Sequence, residues 1–144
     1  MPVSKYLPQG EGYLKWFLLY AIIAGGMHSI SCYLIPIKAL ITFTGPKAPP
    51  RAQAWAHVYG VKNFYTVMIR LYAAYELQNH NQATYFLTMW TFVGVLWLFG
   101  TEVFVYRTIA LRHAIVPFVY CPIGLVWMWR EMDYYLPDRA IRAA

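Results

Sequence analysis

Hydrophobic residues in this chain gather into four long blocks, separated by short polar or proline-bearing stretches. The first runs from Trp16 to Ile37, 22 residues without a charge between Lys15 and Lys38. At 1.5 Å per residue such a helix is about 33 Å long, enough to cross a hydrocarbon core of about 30 Å. Pro36 and Lys38 predict its end, and Thr42–Arg51, with Gly45, Pro46, Pro49 and Pro50, predicts an interfacial loop rather than a helix. The second block, Ala52–Tyr75, contains Lys62 and Arg70. Centred on Thr66, it puts each cation about 6 Å from the midplane on opposite sides, from where each can snorkel outward. The third, Ala83–Thr101, is uncharged up to Glu102, and the polar link Glu76–Gln82 predicts an antiparallel hairpin with the second. The fourth, Ala114–Trp129, lies between Arg112-His113 and Arg130-Glu131, with Pro117 near its start. These blocks predict an all-α integral membrane four-helix bundle, one domain over 1–144, with spans at about 16–37, 54–76, 83–105 and 114–132. Four spans place both termini on the same side.

Composition agrees with that class. Only 12% of the 144 residues are charged, about half the 25% usual in a soluble domain, and 60% are hydrophobic. A disordered tail, a secreted disulfide scaffold and a basic nucleic-acid binder are thereby excluded. The net charge of +6 has no run of five cations behind it, so no nucleic-acid partner is expected. Nor does it orient the chain. Lys5, Lys15, Arg130, Arg139 and Arg142 fall on the terminal side; Lys38, Lys47, Arg51, Arg107 and Arg112 fall opposite. Five against five satisfies the positive-inside rule equally in either direction. The polar segment Met1–Gly12, with Pro2, Pro8 and Glu11, matches neither a signal peptide nor a transit peptide. Cys32 and Cys121 each sit alone in an apolar run and are expected to be buried thiols.

Candidate chemistry is sparse. His28, His57, His80 and His113 form no HxxH or HxxxH pair, and only His28 with His57 is placed for a transmembrane haem. GxGxxG, P-loop and GxSxG sequences are absent, so no catalytic residue, cofactor or metal is expected. Charges within the spans carry more information, because such residues face protein or water and take partners. In a hairpin turning near residues 79 and 80, residues of equal depth sum to about 159 by symmetry of the two rises. His57 then lies level with Glu102, which predicts a polar lock between them, and Arg70 lies level with Trp90 or Met89, which predicts that it stacks on an aromatic face. Lys62, Thr66 and Arg70, at i, i+4 and i+8, form a polar stripe that reads either as a docking face for acidic residues or lipid headgroups, or as an internal lock. On the first helix Ala21, Gly25 and Ser29, widened by Gly26, form a small-residue groove suited to close helix packing, within the chain or against a partner.

Four segments taken together resemble a known family. Gly-Tyr-Leu-Lys-Trp (12–16), Ile-Arg-Leu-Tyr-Ala-Ala-Tyr (69–75), Phe-Gly-Thr-Glu (99–102) with Tyr-Arg-Thr (106–108), and Leu-Val-Trp-Met-Trp (125–129) with Asp-Tyr-Tyr (133–135) are similar, in the same order, to segments of the ergosterol biosynthetic protein 28 family. The resemblance implies a small four-helix endoplasmic reticulum protein without catalytic activity. It would tether the sterol C-4 demethylation enzymes (methyl oxidase, decarboxylating dehydrogenase and keto-reductase) to the membrane and to one another, with lipids as its other partners. The stretch Ala56–Phe64 departs from the family's usual Ala-Arg-Thr-Phe-Gly-Thr-Trp-Thr-Phe, with His57 in place of Arg and Lys62 in place of Trp. An accessory subunit of another membrane complex, such as a respiratory or ATP synthase assembly of the inner mitochondrial membrane, is therefore the second expectation.

Overall fold

The computed structural model describes residues 7–137, and Lys5, Arg139 and Arg142 of the charge comparison lie outside them. Four long helices carry the described chain: α1 (Leu14–Leu34), α3 (Gln53–Glu76), α4 (Gln82–Gly100) and α5 (Leu111–Arg130), with single turns α2 (Pro36–Ala39) and α6 (Met132–Tyr135). No strand occurs among the described residues.

Local chemistry sets the ends. The first helix stops at Leu34, three residues before the expected end at Ile37, because Ile35 precedes Pro36. Proline disfavours the helical region for the residue before it, and Ile35 takes φ −137°, ψ 59°. Asn81 caps α4, its side-chain oxygen accepting from the Thr84 amide at 3.1 Å. Past Gly100, Thr101–Val105 continues as a π-helical turn. Arg107 then adopts φ 59°, while the Glu102 carbonyl accepts from the amides of Thr108 and Ile109 at 2.9 and 3.3 Å. α5 tolerates Pro117 and Pro122 in its interior, which deprive the carbonyls of His113 and Phe118 of their usual helical partners.

Successive long helices run antiparallel. Between α1 and α3, Gly25 meets Val67, Ser29 meets Gly60 and Tyr33 meets His57, so one number rises as the other falls. Arg70 of α3 meets Thr91 and Phe92 of α4, and Tyr85 of α4 donates its hydroxyl to the Met128 carbonyl of α5 at 2.6 Å. The largest buried cluster, from Leu14 and Leu18 through Ala73, Tyr85 and Phe92 to Met128 and Tyr135, lies toward the end that holds the 77–81 turn. At the other end the core divides into two smaller clusters, Cys32 with Ala56 and Phe99 with Ala114.

Three segments, Leu14–Leu34, Gln82–Val105 and Leu111–Arg130, are long and apolar enough to cross a membrane. α3 matches them in length at 24 residues, but its polar side chains lower its apolar character.

Candidate functional site on the two faces of helix three

The polar residues of α3 divide between two faces. A helix turns about 100° per residue, so the 13 positions from His57 to Arg70 leave them about 140° apart. Arg70 faces α4, and His57 faces α1.

On the α1 face, contact is close and built from small residues. The Ser29 hydroxyl donates to the Gly60 carbonyl at 2.7 Å. A Cβ on Gly60 would lie 2.9 Å from Cys32 Cβ and 3.3 Å from the Ser29 carbonyl, nearer than side chains normally approach, so glycine is required for this spacing. Ala21 is buried, and a Cβ on Gly25 would meet Val67 at 2.9 Å, whereas one on Gly26 would meet nothing within 4 Å. The groove Ala21–Gly25–Ser29 thus lies against α3, while Gly26 borders open space. Aromatic contacts flank it: His57 stacks on Tyr33 with ring centres 4.6 Å apart, and His28 meets Tyr59 edge-on at 5.4 Å.

The expected lock between His57 and Glu102 does not form. His57 is turned to α1, and the Glu102 carboxylate instead accepts from the Thr108 hydroxyl within its own turn. Pairing needs both equal depth and side chains that point at each other, and here the rotation of α3 turns His57 away from Glu102.

On the α4 face, the Arg70 guanidinium lies 4.1 Å from the Phe92 ring centre and donates through Nε to the Thr91 hydroxyl at 3.0 Å. The stacking expected for Arg70 is present, but on Phe92 rather than Trp90 or Met89, because the hairpin register sums to 161–162 instead of 159. Arg70 is 6% exposed and its Nη2 has no hydrogen-bond partner. Lys62 rests its ammonium over the Tyr59 ring, 4.7 Å from its centre, and the Thr66 hydroxyl donates back to the Lys62 carbonyl at 2.9 Å. Neither cation meets a carboxylate among the described residues. Beside them a cleft of about 380 Å³ opens between α3 and α4, lined by Lys62, Thr66, Thr91 and Gly94. A larger groove, about 600 Å³, runs outward along α5 from Pro122 and carries one charge of each sign, Arg130 and Glu131.

A clasp at the end of the molecule went unnoticed in the sequence. His80, in the left-handed conformation at φ 54°, brings Nδ1 to 2.8 Å from the Tyr135 carbonyl, and Gln78 donates to the Glu11 carbonyl at 3.3 Å. The Tyr135 hydroxyl occupies the space a Cβ on Gly12 would fill, so two of the segments singled out for resemblance meet here. Burial and the Glu131 carboxylate push the Tyr135 phenol up to about 12. No pattern of spacing announces a contact between residues 12 and 135. Tyr33, Tyr59, Gly60, Thr91 and Phe92 stand in the sequence as ordinary members of apolar runs, and nothing in their spacing marks their pairings.

An all-helical membrane protein, with Ser29, Arg70 and Tyr85 bonding across neighbouring helices, is what this architecture defines. Within that class the comparisons are specific. A family model described as Erg28 like protein matches residues 14–126. Ergosterol biosynthetic protein 28 of Candida albicans is 28% identical over 127 residues, covering 87% of this chain and 89% of that protein. Its counterpart from Gibberella zeae is 31% identical over 166 aligned positions, covering 93% and 96%. No solved structure matches the chain. The chain belongs to the Erg28-like family, whose named relatives are proteins of ergosterol biosynthesis.

Proposed function

We propose that this chain is a non-catalytic scaffold of the endoplasmic reticulum membrane that tethers the sterol C-4 demethylation enzymes. Family membership across nearly the whole chain is the observation that carries this reading. The use of Ser29, Arg70 and Thr91 in contacts between helices supports a packing role for its polar groups. In this reading α3 is a fourth span. Its outer face, Val58, Val61, Tyr65, Met68, Tyr72 and Tyr75, is exposed and apolar along the helix, as a lipid-facing surface should be. Both termini then share one side, in keeping with the contacts of Glu11 and Tyr135 to the same turn.

Affinity purification of the tagged full-length chain from native membranes tests this function. The methyl oxidase, decarboxylating dehydrogenase and keto-reductase should co-purify, and recovery of none of them refutes it. Lys62, standing where the family usually has Trp, favours one second reading, a subunit of a different membrane complex. Co-migration with a respiratory or ATP synthase assembly on a native gel would select that reading.

A further inference from the structure

Two cations lie within the helical assembly without a carboxylate among the described residues to neutralise them. Ionisable side chains at membrane depth pair with one another, with backbone carbonyls or with a ligand, because an isolated charge in hydrocarbon is costly. Among the described residues Arg70 bonds the neutral Thr91 hydroxyl and rests on the Phe92 ring, and its Nη2 is buried without a hydrogen-bond partner. Lys62 rests its ammonium on the Tyr59 ring and meets no carboxylate among the described residues. The described acids are occupied or placed elsewhere: Glu102 bonds Thr108, Glu76 ends α3, and Glu11, Glu131 and Asp133 belong to the terminal segments. The neutralising anion therefore has to come from outside the described chain.

The cleft beside Lys62 has the form of a helix seat. Along α4 it extends from Leu87 to Leu98, about 16 Å at the helical rise. Gly94 forms its floor, and a Cβ there would meet nothing within 4 Å, so the space above the backbone is open. Small residues at such a position let a second helix approach closely, where lipid offers no hydrophobic reason for helices to associate.

Depth selects among anions. Lys62 lies two to three residues from the middle of the 24-residue α3, about 4 Å along its axis. Lipid phosphates lie roughly 20 Å from the midplane of a bilayer about 40–45 Å thick with its headgroups. A lysine stem spans only a fraction of that gap, and the Thr66 hydroxyl is already engaged with the Lys62 carbonyl. A carboxylate carried on a spanning helix reaches this depth directly.

We propose that the α3–α4 cleft seats a helix of a partner membrane protein, with an Asp or Glu at mid-depth that pairs with Lys62. The proposal deepens the scaffold reading and relies on it for the existence of a membrane partner.

The test uses the full-length chain in phosphatidylcholine nanodiscs with a Leu/Ala helix of about 22 residues carrying one central Glu, and a twin carrying Gln. Association is read by energy transfer between fluorophores. The Glu helix should bind about tenfold more tightly than the Gln helix, an energy difference of about 1.4 kcal/mol. Lys62→Gln should erase the preference and Lys62→Arg should keep it. Gly94→Leu, which fills open space and leaves the fold intact, should weaken both helices. Equal binding of the two probes overturns the proposal, as does a preference that survives Lys62→Gln. Loss of the preference when phosphatidylserine is added would assign the cleft to lipid and likewise overturn it. Failure to co-purify sterol enzymes would sink the scaffold reading yet leave this probe result standing, so the two failures are distinguishable.

Discussion

The two faces of α3 meet their neighbours by opposite means. Against α1 the helix presents Gly60 to Ser29 and Cys32, with backbone-level contact and a hydrogen bond from the Ser29 hydroxyl. Against α4 it presents Arg70, Thr66 and Lys62, with a cleft left between the two helices. A seam made of small residues is complete in itself, because close packing alone satisfies it. A seam made of unneutralised cations asks for something more. One sequence thus places its structural contact and its candidate docking surface on the same helix, separated only by rotation.

The sharpest way to break this comparison is to enlarge glycine on each face. Gly60→Leu should cost about 3 kcal/mol, the upper range for overpacking, since its Cβ already meets Cys32. Gly94→Leu should change stability by less than about 0.5 kcal/mol, as expected for a site without contacts. Denaturation of the detergent-solubilised protein, followed by circular dichroism, compares the two, and equal costs would erase the distinction between the faces.

A smaller effect probes the cation. Thr91→Val removes the acceptor for Arg70 Nε and should cost about 1.5 kcal/mol, the penalty for a buried donor left unpaired. In an Arg70→Met background the same change should cost nearly nothing, because no donor remains. A double-mutant cycle without coupling would show that the Arg70–Thr91 bond is idle.

Ser29→Ala should cost about 0.6 kcal/mol, the usual worth of a hydrogen bond between membrane helices. A cost above that of Thr91→Val would reverse the ranking of the two seams. The smallest expected effect is a coupling near zero. His57→Ala and Glu102→Ala should add within about 0.5 kcal/mol, as independent sites do, since one residue stacks on Tyr33 and the other bonds Thr108. A coupling above 1 kcal/mol would restore the lock expected from depth.

Much of the molecule was legible from one dimension. Helix lengths came from the spacing of charges, the hairpin from the polar link 76–82, and the family from four short segments in order. The Arg70 stacking was legible in kind and displaced by two or three residues, since a small shift in where the hairpin turns, with His80 in the left-handed conformation, moves every partner across the helix pair. The same shift moves His57 away from the level of Glu102, and that pairing failed for a second reason as well. Depth is additive along a chain and can be counted, whereas facing depends on the angle at which a helix is seated.

The sequence by itself determined that this is an all-helical membrane protein of the Erg28-like family; of the four spans it predicted, three coincide with helices long and apolar enough to cross a membrane. Hydrophobic transfer from water depends on how many apolar residues follow one another, and that is written in the order of residues. Only the tertiary structure decided which side of α3 each polar group takes. Gly60 lets α1 approach so closely that it sets the rotation of α3, and this rotation sends His57 to Tyr33 and Arg70 to Phe92. Lys62 is left beside an open cleft for the same physical reason: steric fit between two helices fixes an angle that no residue count contains.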